Sequence, residues 1–386
     1  MSGCSLYSAD LLGSLARSCP SLRSLVARGC ESIGDRGIIE GLLGAPDYCR
    51  LQLEHLDLQG VRFSQDKEEG GEDLARAVAR LVGPRLTTLR LGWLGEASPE
   101  PELYQGDLRI VMELLARSGE HLRLLDLAGC CSSSGCEEAL PAAFARLSSL
   151  RILNLSYWQG GPGLGLGLRG CAATCLTELR LRGVECVTDE DLAPLFAANP
   201  RLETVNLSCC SQITDASLRS LAAAAAASLT SLDVCYASGM TVQGVLFAAV
   251  AFPGLLEFGF SGFEALRDGD VDTIASLLPG LRLIGIGGCL DLTDASLKAI
   301  AAHCGPTLEA LYASDLPLVS PAGLDALLGG ACPCLRRLAL ERCPRLGPQE
   351  LRSVRRLPWG EEDLDLPLPE AVARENPFLA RPAAQG

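Results

Sequence analysis

The stretch CSQITDASLRSLAAAAAASLTSLDV, residues 210–234, contains the pattern that decides the fold of this chain. It begins with a cysteine, continues with a Thr-Asp pair and an apolar-periodic run, and ends in L-x-x-L-x-V. A threonine ahead of such a run is a good helix N-cap, and alternating apolar residues indicate a short strand. The stretch therefore predicts a helix followed by a strand, a unit that cannot bury its apolar face alone.

The leucine-rich end of this unit recurs along the whole chain, with a step of 26 or 27 residues from Leu150 onward. Twelve copies, some degenerate, begin at Leu22, Leu53, Leu86, Leu122, Leu150, Leu176, Leu202, Leu229, Leu255, Leu281, Leu308 and Leu335. Chance does not keep such a register, so we expect stacked units with one continuous core. The prediction is a right-handed α/β solenoid shaped like a horseshoe, with a parallel concave sheet and helices on its convex back.

The repeat pattern also indicates how the chain is organised. We predict one solenoid over residues 1–357, with insertions at residues 62–73 and 96–107 where the early repeats are longer. Residues 160–170, GGPGLGLGLRG, suggest a flexible loop that replaces most of a helix. Residues 358–386 depart from the repeat, so we expect a C-terminal cap followed by a disordered tail over residues 377–386.

In this pattern the sequence resembles the cysteine-containing leucine-rich repeat proteins of the F-box type. The best matches to the C-x-x-[IL]-T-D-x-x-L unit begin at Cys210 and Cys289. The resemblance implies the substrate-recognition half of a cullin-based, SCF-type ubiquitin ligase, whose adaptor is bound by an F-box. Only 21 residues precede the first strand, so we leave two alternatives open: the F-box lies outside this sequence, or the protein is a repeat-only relative.

The recurring cysteines and Thr-Asp pairs have structural interpretations. We expect the ninth position of the repeat to point inward, where a small thiol can donate to a buried backbone group; it is occupied by Cys30, Cys130, Cys210, Cys289 and Cys343. A second buried set precedes the strands and comprises Cys19, Cys49, Cys304 and Cys332. The threonines are predicted N-caps, with Asp191 completing a capping box for Thr188.

Composition and motifs argue against several function classes. A net charge of −14 disfavours a nucleic-acid partner. Three histidines and no matched cysteine pairs disfavour zinc, and no nucleophile or nucleotide motif indicates an enzyme or a cofactor. The longest apolar run, residues 242–260, is predicted to split into a helix and a strand rather than span a membrane. Eighteen cysteines without a signal peptide suggest a reducing compartment, the cytoplasm or also the nucleus.

The concave sheet face is the predicted protein-binding surface. Its outward third, fifth and seventh positions, with the eighth at the strand ends, contribute Asp57, Arg90, Trp93, Asp126, Asn154, Tyr157, Glu178, Arg180, Arg182, Asn206, Asp233, Tyr236, Glu257 and Tyr312. Asn206 and Ser208 are the first residues to test. We expect a monomeric, non-catalytic recognition subunit acting in ubiquitin-dependent protein catabolism, with an adaptor and cullin as further partners; the alternative is a stand-alone scaffold with no ubiquitin link.

Overall fold

A computed structural model describes residues 19, 21–26, 53–59, 85–92, 108–130 and 137–347. The two predicted insertions, the boundary at residue 357 and the C-terminal cap and tail lie outside these residues. Cys30 and Cys49 also lie outside them.

Twelve short strands form one parallel sheet, in which each strand pairs with its sequence neighbours. The strands are β1 (Ser24–Val26), β2 (His55–Asp57), β3 (Thr88–Arg90), β4 (Leu124–Asp126), β5 (Ile152–Asn154), β6 (Glu178–Arg180), β7 (Thr204–Asn206), β8 (Ser231–Asp233), β9 (Glu257–Gly259), β10 (Leu283–Gly285), β11 (Ala310–Tyr312) and β12 (Arg337–Ala339). Every strand occupies the third to fifth positions of its repeat, and like positions pair across the sheet. The predicted leucine-rich repeat solenoid is confirmed.

Helices connect the strands wherever the structure describes the intervening residues. They are α1 (Leu108–Ser118), α2 (Leu140–Phe144), α3 (Gly163–Arg169), α4 (Asp189–Ala198), α5 (Asp215–Ala225), α6 (Val242–Ala251), α7 (Asp268–Leu277), α8 (Asp294–Cys304) and α9 (Pro321–Leu328). Helix α6 and strand β9 divide the apolar run of residues 242–260, as predicted. Within the described ranges, no helix has the length and apolar character needed to cross a bilayer.

The glycine-rich segment at residues 160–170 is a helix, so its interpretation as a flexible loop was wrong. Leu164 and Leu168 of α3 are fully buried. The glycines between them permit close packing, because a Cβ on Gly165 would lie 2.6 Å from Asp191 Oδ2 in the next repeat. Tertiary burial and close approach thus outweigh the low helix propensity of glycine.

The ninth-position cysteines have the predicted place and role. Cys130, Cys210, Cys289 and Cys343 are buried. The thiol of Cys210 donates to the backbone carbonyl of Leu181 at 3.0 Å, and Cys343 bonds the preceding repeat at Ala313 in the same way. These thiols therefore add bonds between repeats at the ends of the strands, and the Leu181 carbonyl also accepts the N–H of Val184. Burial raises the pKa of the Cys210 thiol to about 12, so this thiol is protonated at neutral pH.

The second cysteine set is buried at Cys304 and Cys332 but exposed at Cys19, where the prediction was wrong. Cys19 precedes β1, the first strand of the described sheet. In the repeat that contains α4, Asn199 occupies the same position and is fully buried. Its amide donates to the carbonyls of Ala173 and Leu195 and accepts from Leu176 N–H, at 2.8–2.9 Å. Asparagine therefore replaces the thiol with a fully bonded amide.

The Thr-Asp pairs join consecutive helix starts as well as capping them. Thr188, Thr214 and Thr293 are the predicted N-caps, and Asp191 completes the capping box at Thr188. In addition, Asp189 accepts Thr214 N–H at 2.9 Å and its hydroxyl at 2.7 Å. Burial alone would raise the pKa of Asp189, but hydrogen bonds from Ser217 and Thr214 outweigh it and lower the pKa. The aspartate thus fixes the next repeat in register.

The same inter-repeat bond recurs with one interruption. Asp215 binds Thr241, Asp268 binds Thr293 and Asp294 binds Ser320. The interruption lies between α6 and α7. Helix α6 begins with Val242 where the others begin with aspartate, and the N-cap of α7 is Arg267 rather than threonine or serine, so both partners of this bond are absent.

Candidate protein-binding face

The fifth position of each repeat forms a row across the open face, which we define as the sheet face bearing the third and fifth positions, opposite the helices. Strand pairing aligns Asp57, Arg90, Asp126, Asn154, Arg180, Asn206 and Asp233. The row then passes through Gly259 and Gly285 to Tyr312. The predicted fifth-position residues are therefore brought into one line. Trp93 lies outside the described residues.

Several side chains of this row also bind their own backbone. Asp126 Oδ1 accepts the N–H of Ala128, and Asn154 Oδ1 accepts that of Ser156, both at 3.1 Å. Asp57, Asn206 and Asp233 accept the N–H two residues later in the same way. Such Asx turns are typical of Asp and Asn at the end of a strand. These five predicted binding residues thus have a structural role that the sequence analysis missed.

Most charged side chains of this row have partners on the open face. Arg90 lies 4.0 Å from the carboxylate of Asp57, and Asn206 donates to Asp233 at 3.1 Å. Arg180 is paired with Glu178 of the same strand. Burial raises the pKa of Asp126, although the Ala128 N–H, the Arg90 and Arg180 charges and Asn154 oppose this. Asp126 is therefore an aspartate whose ionised form is disfavoured by its surroundings.

Replacing Asp126 with asparagine should leave the protein equally or more stable at neutral pH. Asparagine retains the acceptor for Ala128, as Asn154 and Asn206 do in their own repeats. Gln59, which donates to Asp126 Oδ2 at 3.0 Å, can turn its own amide oxygen towards the new amide group. Because the folded pKa is raised, the ionised carboxylate costs stability only as pH rises through that pKa. We expect a gain of up to about 1 kcal/mol at pH 7 that shrinks towards about pH 4. Urea unfolding across this range measures it.

Asp126→Ala provides the matched control for this substitution. It removes the charge and also the acceptor, so it should be less stable than Asp126→Asn by about 1 kcal/mol at every pH. A destabilised asparagine variant at pH 7 would contradict the proposed cost of ionising Asp126.

The third-position residues lie beside the row and are also engaged. Glu178 binds Arg180, and Glu257 accepts the Ser231 hydroxyl at 2.8 Å. Both glutamates and Tyr312 are half-buried. These predicted site residues are therefore on the open face, but the two glutamates have partners within the chain.

The seventh position is less available than predicted. Ser208 is 1% exposed, and its hydroxyl donates to Asn206 Oδ1 at 2.7 Å. Ser156 and Gln59, at the same position, are also buried. The expectation that Ser208 is an outward residue was wrong, because its short side chain bonds back to the fifth-position side chain beside it.

The eighth position has a left-handed backbone in every repeat from the fourth onward. Four of these residues are glycines, Gly129, Gly183, Gly262 and Gly288, with φ between 66° and 81°. The others are Tyr157, Cys209, Tyr236, Asp315 and Arg342, with φ between 55° and 60°. This conformation is costly for a bulky side chain, and such strain is concentrated at functional sites. The two tyrosines are therefore the exceptional residues of this row.

Both tyrosine rings lie against a glycine of the following repeat. A Cβ on Gly183 would lie 2.9 Å from Tyr157 Cδ1, and one on Gly262 only 2.3 Å from Tyr236 Cδ1. The Tyr236 hydroxyl reaches Gly288, one repeat further. Burial is the main cause that raises the pKa of Tyr236, so its phenol is neutral at physiological pH. The rings thus form half-buried aromatic surfaces along the ends of the strands.

Arg182 is the seventh-position residue that stands next to these tyrosines. Its Cζ lies 5.3 Å from the centroid of the Tyr157 ring, within cation–π range, and its side chain also bonds the Cys209 thiol. Among the described residues no carboxylate forms an ion pair with Arg182, and its Nε is buried without an acceptor. Arg182 therefore lacks the acidic partner that Arg90 and Arg180 have, although the Nε of Arg90 is also buried without an acceptor.

The described residues contain no group of three or more His, Cys, Asp or Glu side chains placed to hold a metal ion. All thirteen cysteines in this part of the chain are free thiols. The site is thus built from aromatic, arginine and Asx side chains, which suit recognition of a protein surface.

Comparison with known families identifies the repeats. Residues 112–240 match a family model described as "FBD-associated F-box protein At5g56370, LRR repeats". This match confirms the resemblance to F-box-type leucine-rich repeat proteins over that segment. Repeats of this kind are typical of interaction domains.

Two solved structures are similar to this chain at low sequence identity. One is described as the crystal structure of the Rad7 and Elc1 complex in yeast; it is 18% identical, with a TM-score of 0.54 over 89% of this chain and 79% of that chain. Another is an internalin, inlF, from Listeria monocytogenes, 15% identical with a TM-score of 0.43 over 89% of this chain and 86% of that one. The first supports the leucine-rich repeat fold.

Proposed function

We propose that this chain, built from F-box-associated leucine-rich repeats, is a non-catalytic recognition subunit of a cullin-based, SCF-type ubiquitin ligase. It would hold a protein on its open face and present it for ubiquitination and catabolism. The observation that carries the proposal is the family match at residues 112–240, which covers strands β4 to β8 of that face. The repeat fold alone would not indicate a ligase, because one fold serves many functions.

The face supports this role by its composition. Aromatic residues and arginine are the side chains that contribute most to protein interfaces. Tyr157, Arg182 and Tyr236 lie along the same ends of the strands, and Arg182 packs on the Tyr157 ring. Both tyrosines adopt a left-handed backbone conformation that favours glycine. The structural neighbour described as a Rad7–Elc1 complex also comes from a protein–protein assembly. We further propose that the protein is monomeric and acts in the cytoplasm or nucleus.

Affinity purification tests the ligase role directly. The tagged full chain should recover an adaptor and a cullin from cells, either through an F-box outside this sequence or through a partner. An Arg182→Glu variant should retain both while losing a substrate bound on the open face. If adaptor and cullin are absent from the wild-type eluate while other proteins are retained, the ligase role is excluded and a stand-alone scaffold is favoured.

A further inference from the structure

The strand-end edge, formed by the seventh and eighth positions of repeats five to eight, differs from the rest of the open face. It contains Tyr157, Arg182, Cys209 and Tyr236 in consecutive repeats. Tyr157 and Tyr236 are three strands apart, which corresponds to about 14 Å across a parallel sheet. An extended peptide spans that distance with about four residues. The distance between the two tyrosines therefore matches the length of a short extended segment that runs across the strands.

Arg182 is the positively charged residue of this strand-end edge. Arg182 has no ion pair among the described residues, whereas Arg180 is neutralised by Glu178. Asp233, a carboxylate of the open face two repeats further on, is bound by Asn206 and by the N–H of Cys235. A guanidinium held against an aromatic ring loses little freedom on binding and forms directed bonds to a carboxylate. Arg182 is half-buried and its Nε is enclosed, so a partner carboxylate would bond the terminal nitrogens of the guanidinium.

Resting on the proposed function of the open face, we propose that Arg182 anchors an acidic side chain of an extended partner segment between Tyr157 and Tyr236. The rings would flank the aliphatic part of that segment, and the neutral Tyr236 phenol would donate to a backbone carbonyl. A carboxylate suits the site better than a dianionic phosphate, because one arginine supplies one charge and the whole chain carries −14.

A phage-displayed library of random peptides about twelve residues long, long enough to cross the edge, tests this anchor on the full chain. Selected peptides should share an Asp or Glu at a fixed position and bind Arg182→Gln on the order of tenfold more weakly. Arg151→Gln is the matched control, because Arg151 is exposed at the opposite ends of the strands, in the repeat that contains Tyr157. Its affinity should equal that of the wild type.

Two further variants separate recognition from a merely structural effect. Arg182→Glu should select peptides with Lys or Arg at the same position. Cys209→Asp should place a carboxylate beside Arg182 and compete with the peptide, while lowering the melting temperature by at most a few degrees. Peptides without an acidic residue, equal losses in Arg182→Gln and Arg151→Gln, or no selected peptide at all would overturn the anchor. Recovery of adaptor and cullin would then still test the ligase role independently.

Discussion

Replacing Cys210 with aspartate should lower the free energy of unfolding by at least about 3 kcal/mol. The thiol is fully buried, and it donates to the Leu181 carbonyl at 3.0 Å. A carboxylate at this place would face the Leu181 carbonyl oxygen in an apolar core. The N–H groups of Gly183 and Val184 lie beside the site, but they already donate to the Ser208 and Leu181 carbonyls and would compensate the charge only in part. Chemical denaturation of the purified variant measures the loss, and failure to fold at all would be its extreme form.

Two matched variants make the Cys210 prediction specific. Cys210→Ala loses the weak S–H bond and leaves a small void, so it should cost only about 1–2 kcal/mol. Cys209→Asp introduces the same charge one residue earlier, at a half-buried, left-handed position where Asp315 occurs in a later repeat. Its cost should be under about 1 kcal/mol, because Asp tolerates that conformation. Equal losses at residues 209 and 210 would contradict the inward placement of Cys210.

The fold was predictable from sequence because its signal is repeated. Any one L-x-x-L-x-L unit is weak, but the units beginning at Leu150, Leu176 and Leu202 keep one step, and that step places β5, β6 and β7 in register. Burial of the leucines at the fourth and sixth positions follows from strand geometry, whereas the inward ninth-position cysteines were assigned from the resemblance to leucine-rich repeats.

Features that depend on the neighbouring repeat could not be predicted. GLGLGLR reads as a loop by propensity, but α3 forms because its glycines admit Glu137 and Asp191 from the repeats on either side. From sequence, Asp189 was expected to interact with the dipole of its own helix, but in the structure it also accepts a hydrogen bond from Thr214 of the next repeat. Both depend on contacts between residues 25 or 26 positions apart, which a local pattern does not encode.

The sequence predicted which residues lie on the open face, and their use in binding stays a prediction. Alternation placed Asn206 and Asp233 on the open face, but their turns to Ser208 and Cys235 show that part of this polarity is structural. A signal for the eighth position was available in the sequence, since glycine fills it in four repeats from the fourth onward. A position that often holds glycine suggests positive φ, which makes tyrosine there unusual.

Substituting Gly262 with alanine should destabilise the protein by about 2–4 kcal/mol. The residue has φ 81°, and its new Cβ would lie 2.3 Å from Tyr236 Cδ1. Left-handed strain supplies about 1–2 kcal/mol of this, and displacement of the ring supplies the rest. Thermal and chemical unfolding measure the total, and peptide binding at the strand-end edge should weaken as Tyr236 moves.

Gly330 separates the two causes of the Gly262 effect. Its φ is 96°, and a Cβ there meets no atom within 4 Å, so Gly330→Ala should show the backbone strain alone. Combining Gly262→Ala with Tyr236→Ala removes the ring from the clash, so the double variant should be more stable than the two single losses added together. Strictly additive losses, or equal costs at residues 262 and 330, would mean that Tyr236 is not held against Gly262. In that case the ring would not be fixed in the position that the proposed peptide contact requires.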